Sequence, residues 1–530
     1  MRPALYVLVV LFAVSVFTAS AQTSPEVFRY SGPGFDTAQK ATKDSAGNIY
    51  IAASLPREDQ QTAFAVLKYT SEGSLVWAAR HDVAQGAFAG AAEAVSVDSA
   101  GSVYAAGYVY RELNVYAIDF LVVKFNSDGV EQWSDRITNG RGLRIIAHPS
   151  GGVYVTGSAS SESGTDWLTI KYGPDGTRLW ERRLNSISAE RPRSWDRPAD
   201  MALDTEGNIV ITGRTGEGVH TPADITTVKY DQNGDEMFRT NYDDRPDSND
   251  FPFDMDVDLR GGIWVTGLTQ IDPYSPYVPV ILKYSPKGGL VSAIRNEAAG
   301  GLAIDVDLAG DVFVAGFSGA AKFDNSGVSV WERPLTFPAV AILADSAGFC
   351  YVGGSQQRFG TISGDYMTAL FDPMGNQIFQ HAYNGVGNGH DVVSDILLDN
   401  SENLFVVGAA RIDSTTFEDV VILKFIRGNT PAPQPLGAPS DLTGIADSRD
   451  RISIRWQDNA SNESGFRVER CQGSSCADFV QIGEVGANEL RFLDTGLSRN
   501  TFYSYRVRAF NAGGNSEFSN TVRVRTPHRR

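Results

Sequence analysis

Short apolar runs recur along most of this chain, each ended by a cluster of Asp, Asn, Ser and Gly. One phrase is an apolar stretch, an Asp-x-x-Gly turn and a second β-rich run. Clear copies are Val95-Ser96-Val97-Asp98-Ser99-Ala100-Gly101-Ser102-Val103-Tyr104 and Ala202-Leu203-Asp204-Thr205-Glu206-Gly207-Asn208-Ile209-Val210. Its marker position falls at Asp44, Asp98, His148, Asp204, Asp258, Asp307, Asp345 and Asp399, at spacings of 54, 50, 56, 54, 49, 38 and 54. A second phrase is Lys-(Tyr/Phe), a four-residue turn containing Gly, and a run that often carries Trp: Lys68 to Trp77, Lys124 to Trp133, Lys171 to Trp180 and Lys322 to Trp331. Weaker copies begin at Lys229, Lys283 and Leu370, and the last, Lys424-Phe425, lacks its final run.

Each period therefore predicts four strands of about five residues, here labelled a to d. Strand a precedes the Asp turn, b follows it, c ends in Lys-Tyr and d follows the Gly turn. One such sheet cannot bury both faces, whereas several set around an axis bury one another. The expected fold is all-β: an eight-bladed (alternatively seven-bladed) propeller over residues 22–428. Its eighth unit lacks strand d, and the orphan run Glu26-Val27-Phe28-Arg29-Tyr30 is expected to supply it. The runs Asp44-Ser45-Ala46-Gly47-Asn48-Ile49-Tyr50, Gly151-Gly152-Val153-Tyr154-Val155-Thr156-Gly157 and Lys68-Tyr69 through Trp77 resemble the bacterial SBBP-type β-propeller repeat family. That resemblance implies an extracellular setting and seven blades; eight phrases are present, the sixth (302–335) being short. It brings no catalytic residues.

The Pro-rich stretch 429–438 reads as a semi-rigid linker. Beyond it, Ile452 to Trp456, Phe466 to Arg470 and Tyr503 to Asn511 alternate as strands of a sandwich over 439–527. Pro439, Leu442, Trp456, Leu497, Tyr503, the Tyr505-Arg506-Val507-x-Ala509 run, Asn511, Gly514 and Ser516 resemble a fibronectin type III domain, with Tyr503 at its tyrosine corner.

Composition narrows the partners. With 63 acidic against 46 basic residues the formal charge is −17, which disfavours nucleic acid and anionic membrane surfaces. Arg2, the apolar run Leu5 to Phe17 and Ala19-Ser20-Ala21 predict a signal peptide over 1–21, too short to remain as a span. The mature chain is expected to be secreted or held at the cell surface, without membrane insertion. Cys471 and Cys476 are expected to form a local disulfide, and Cys350 to fill the core.

Chemistry is sparse. Zinc-hydrolase, nucleophile-elbow and phosphate-loop motifs are absent. The Asn126 to Trp133 run misses the sialidase Asp-box spacing by one residue, and no arginine cluster for a carboxylate is identifiable. No catalytic residue and no cofactor is assigned, and enzymatic activity is not expected. Asp254, Asp256 and Asp305 are the calcium candidates, although Asp258 and Asp307 beside them occupy turn positions. The b–c and d–a loops vary in length and emerge on one end of the ring, opposite the short a–b and c–d turns. Variable loops on a fixed scaffold favour recognition, and they carry Tyr108, Tyr110, Tyr116, Trp195, Tyr274 and Tyr277, with Trp167 near the same rim. The leading expectation is a binding or scaffold protein for extracellular polysaccharide or protein. A carbohydrate-active hydrolase or lyase using acidic residues, and a structural surface protein, stand as alternatives.

Overall fold

The structure, a computed structural model, describes residues 24–528 apart from 33, 58–60, 82–88, 112–116, 163, 187–193, 217–222, 246–248, 271–274, 358–363, 386–388, 412–417, 428–436, 461–462, 464, 474–475, 487–488 and 512–513. The expected signal peptide, Tyr116, Tyr274 and most of the linker lie outside the described residues. Among the described residues the regular structure is all strand, and no helix is long and apolar enough to cross a membrane.

Eight antiparallel sheets, each with the four-strand path a-b-c-d, follow one another before residue 428. The first is Thr37–Lys43, Ile49–Pro56, Thr62–Tyr69 and Leu75–Arg80. In the eighth, the outer strand is Glu26–Tyr30, antiparallel to Glu418–Phe425. The a strand of each sheet touches the a strand of the next, and the eighth touches the first, so the a strands line an axis. Alternation along a strand sends its side chains to opposite faces. Accordingly Ile49, Ile51 and Ala53 pack against Phe405, Val407 and Ile422 of the eighth sheet. Tyr50 and Ala52 pack the other way, against Val103, Leu121 and Phe125 of the second. The apolar core is thus divided among the gaps between sheets.

The a–b turns are built alike. Asp44 Oδ1 accepts the N–H groups of Ala46 and Asn48, both at 2.9 Å, and Gly47 takes the left-handed conformation with φ 83°. His148 fills the same role through Nδ1, which accepts the Ser150 N–H at 3.2 Å. The short spacing of the sixth repeat reflects a two-residue b–c link: strand b ends at Gly316 and strand c starts at Gly319.

The c–d turns join neighbouring sheets. Trp77 donates its indole N–H to the Ser127 carbonyl of the next sheet at 3.0 Å, Trp133 to Pro174 at 3.1 Å, Trp180 to Gln232 at 3.1 Å and Trp331 to Pro373 at 3.2 Å. Lys124 and Lys171 reach the same carbonyls as their sheet's Trp, both at 2.9 Å. Each indole lies where a Cβ on the next turn's glycine would sit: 2.8 Å from that point at Gly129 and 2.7 Å at Gly234. These glycines answer two demands, positive φ and contact with a ring.

The C-terminal segment forms two facing sheets. One is Ser440–Ser448, Arg451–Gln457 and Arg491–Thr495; the other centres on Gly465–Gln472 and Phe502–Asn511. Trp456, Phe466, Tyr505 and Val507 meet between them. The buried Tyr503 hydroxyl accepts the Ser498 N–H at 2.9 Å. A disulfide joins Cys471 and Cys476, and Cys350 is buried and free.

Candidate binding site at the long-loop end

The axis explains the acidic residues singled out from the sequence. Every a strand carries a register break near its start, as between Pro198 and Asp200, Pro252 and Asp254, and Val393 and Asp395. A bulge re-aims the side chains beside it, here toward the next a strand. Asp395 accepts the Ala41 N–H at 2.9 Å, Asp254 that of Ile304 at 2.9 Å, Asp256 that of Val306 at 3.0 Å and Asp305 that of Ala344 at 2.6 Å. The calcium candidates Asp254, Asp256 and Asp305 are therefore distributed along a ladder of backbone donors. Among the described residues no group of three or more His, Cys, Asp or Glu could hold a metal ion.

Burial raises Asp256 to about 7, with Asp305 adding to the effect, and raises Asp305 itself to about 6. Asp254 is pushed well above the usual range by burial and then by Asp200. In the unfolded chain an Asp titrates near 4. Between that pH and 6–7 the folded protein holds protons that the unfolded chain has released. The stabilisation is complete below about pH 4 and is lost as pH rises through the folded values. Stability in urea is expected to fall between pH 5 and pH 8, with Asp256→Asn removing on the order of 1 kcal/mol of that fall. Parallel pH profiles for the two proteins would refute the assignment.

The aromatic candidates divide. Trp167 is 1% exposed and donates its indole N–H to Thr156 at 3.0 Å. It belongs to the core between the third and fourth sheets, which corrects its placement on the rim. Tyr108 is half-buried beneath Arg141, 4.6 Å from guanidinium to ring centroid, and Tyr110 meets it edge-on at 5.4 Å. Trp195 is 49% exposed and Tyr277 43%. Trp195 is fixed through its backbone, its N–H donating to the Gly216 carbonyl at 3.1 Å. Tyr277 lies 5.5 Å from the ring of Phe251.

Beside these rings the structure brings together what sequence reading missed: an arginine cluster. Arg141 and Arg144 come from strand a of the third sheet (Gly140–Ala147), Arg197 from strand a of the fourth (Arg197–Leu203) and Arg214 from its strand b (Ile209–Thr215). Arg141 and Arg197 lie at a-strand starts and Arg214 near a b-strand end, the end from which the b–c and d–a loops emerge, while Arg144 follows the bulge of its strand a. Two adjoining cavities open there. One, of about 300 Å³, is lined by Leu143, Arg144, Arg197, Arg214, Phe251 and Phe253 among others. The second, of about 310 Å³, shares Arg197 and Arg214 and adds Arg141, Asn139, Ser158 and Trp195. The third sheet has the tightest rim: its d–a approach is Thr138-Asn139, between Ile137 and Gly140, and strands b and c are separated only by 162–163. The signal in the sequence was phase, because Arg141 and Arg197 occupy the same position relative to their bulges.

Comparison with known proteins bears on the C-terminal segment. The family model described as "Fibronectin type III domain" matches residues 437–525, across both facing sheets and the Tyr503 bond. Residues 437–525 are a fibronectin type III domain. Similar curated proteins include Contactin-5 from Gallus gallus, 28% identical over 113 residues, or 21% of this chain and 10% of that protein. Contactin-5 from Mus musculus is 28% identical over 101 residues, 18% of this chain and 9% of that protein. The chain thus spans about a tenth of the length of these relatives. Among solved structures, the FN5 domain of Drosophila Lar is 24% identical with a TM-score of 0.15, covering 17% of this chain and 96% of that one. BamB from Moraxella catarrhalis is 12% identical with a TM-score of 0.42, covering 76% of this chain and 99% of that one. The fibronectin type III domain accounts for the sandwich, the buried Trp456 and the tyrosine corner alike.

Proposed function

We propose that this chain is a secreted or cell-surface recognition protein: an eight-bladed β-propeller of the SBBP-repeat type, over residues 22–428, carrying a fibronectin type III domain. It binds extracellular polysaccharide or protein through the long-loop end of the ring. The observation that carries this reading is the asymmetry between the two ends. At one end nearly identical turns are occupied in joining sheet to sheet. At the other, where the connections vary in length, two cavities are walled by arginines and an exposed indole. The fibronectin type III domain and the similarity to Contactin-5 support an extracellular setting.

The mature full chain, passed over immobilised glycans and extracellular proteins, is expected to retain at least one partner. Trp195→Ala and Tyr277→Ala are expected to weaken that retention about tenfold, the scale of one lost aromatic contact of 1–2 kcal/mol. A charge change on a short turn, such as Asp128→Lys, is expected to leave it intact. Retention lost only through the short-turn change would reverse the assignment of the binding end.

A further inference from the structure

We propose that the mouth between the third and fourth sheets binds an anionic sugar, with Arg197 and Arg214 holding its carboxylate or sulfate and Trp195 receiving the face of its ring. This rests on the recognition role of the long-loop end and adds the chemistry of the ligand.

Arg197 and Arg214 stand directly opposite each other in an antiparallel pair. Like charges so placed repel. The chain has 63 acidic residues, yet among the described residues none forms an ion pair with either arginine. The contrast with the two neighbouring arginines is direct: Arg141 pairs with Glu93 at 2.5 Å and Arg144 with Asp200 at 2.7 Å. Arg214 is also held near the ring of Phe251 and keeps a buried Nε with no hydrogen-bond partner. Burial, then the charges of Arg141 and Arg214, push Arg197 below its usual value. The cavity wall also carries Asp196, but its carboxylate is occupied by the Ser186 hydroxyl and the Ser186 and Gly216 N–H groups. The two guanidinium groups, neither in an ion pair among the described residues, form an oxyanion receptor, because their planar donors match carboxylate and sulfate geometry.

The rest of the wall selects a sugar. Trp195 presents an exposed indole from a backbone anchored to Gly216, a surface suited to the apolar face of a pyranose. Asn139, Ser158 and Ser160 bring short polar groups that match hydroxyls. Each cavity lies at the lower bound of small-ligand sites, roughly 300–1,000 Å³. That size fits single sugar units rather than a folded surface. An extended polyanion such as nucleic acid is opposed by the net charge of −17, which leaves the positive potential local.

Isothermal titration calorimetry of the full mature chain tests this with four probes: galacturonate oligomers, heparin oligosaccharides, neutral dextran oligomers and polyglutamate. Binding to galacturonate or heparin, at least tenfold tighter than to dextran and weakened by added salt, is expected. Binding of galacturonate shows that a carboxylate suffices, and stronger binding of heparin, which carries both groups, shows that sulfate adds to it. Arg197→Gln and Arg214→Gln are each expected to weaken it tenfold or more, and Arg197→Gln to raise the thermal midpoint by relieving repulsion. Wild-type affinity in both variants, equal binding of dextran, preference for polyglutamate or no binding to either anionic glycan would each overturn the inference. In the first two cases, loss through Trp195→Ala would still leave the long-loop end as the recognition surface.

Discussion

Trp180→Ala is expected to destabilise the ring by about 3–5 kcal/mol, the range for emptying a buried indole site. The side chain is 9% exposed and lies between Tyr154, at 5.7 Å, and Tyr230, at 5.9 Å. Its N–H satisfies the Gln232 carbonyl, and its ring covers Gly234. Removal opens a cavity and frees a turn of the next sheet in one step. The fifth sheet supplies a control. Ser292 occupies the Trp180 register, opposite Lys283, and Ile294 reaches Gly327 instead. Ser292→Ala is therefore expected to shift urea unfolding by less than about 1 kcal/mol, the net worth of a small polar group. Equal effects from the two substitutions would show that the indoles do not hold the sheets together.

Deleting residues 22–30 is expected to have the larger effect. It removes the outer strand of the eighth sheet and leaves the N–H and C=O groups of Glu418–Phe425 as an open edge. It also withdraws Phe28 from the turn at Gly73, where the ring lies against the position a Cβ would take. Open edges pair with other chains, so light scattering should report oligomers where the intact protein gives one species. A peptide spanning Glu26–Tyr30, added in trans, should restore that species by strand addition. Phe28→Ala offers a graded version at about 2–3 kcal/mol, below the usual range because the site is half-buried. A truncated chain that unfolds at the same urea concentration and stays monodisperse would contradict the pairing.

Much of the strand order was legible because it is written locally. Asp98, Gly101 and their counterparts fix turns within five residues, and Trp133 follows Lys124 at a set distance, so the repeat could be read without knowing what touches what. The unpartnered strand Glu26–Tyr30 was legible by subtraction, from a unit that stops at Lys424. Three features were not. The register break in every strand a leaves no mark in the alternation, so Asp254 and Asp256 looked like ligands rather than acceptors for the next strand. Trp167 sits three residues into strand c, where only tertiary packing decides whether an indole faces solvent or the neighbouring sheet. Arg141, Arg197 and Arg214 are separated in sequence and meet only because adjacent sheets present the same phase at the same end.

The partner of Glu26 is Lys424, and this sets an order of events during synthesis. Glu26–Tyr30 is made before every other strand of the ring and has nothing to join there until Glu418–Phe425 has followed it. Earlier sheets are complete within themselves and can form as they emerge. Closing the ring must then recruit its earliest-made strand, a contact of the largest sequence separation in the ring and therefore one of the slowest kind to form.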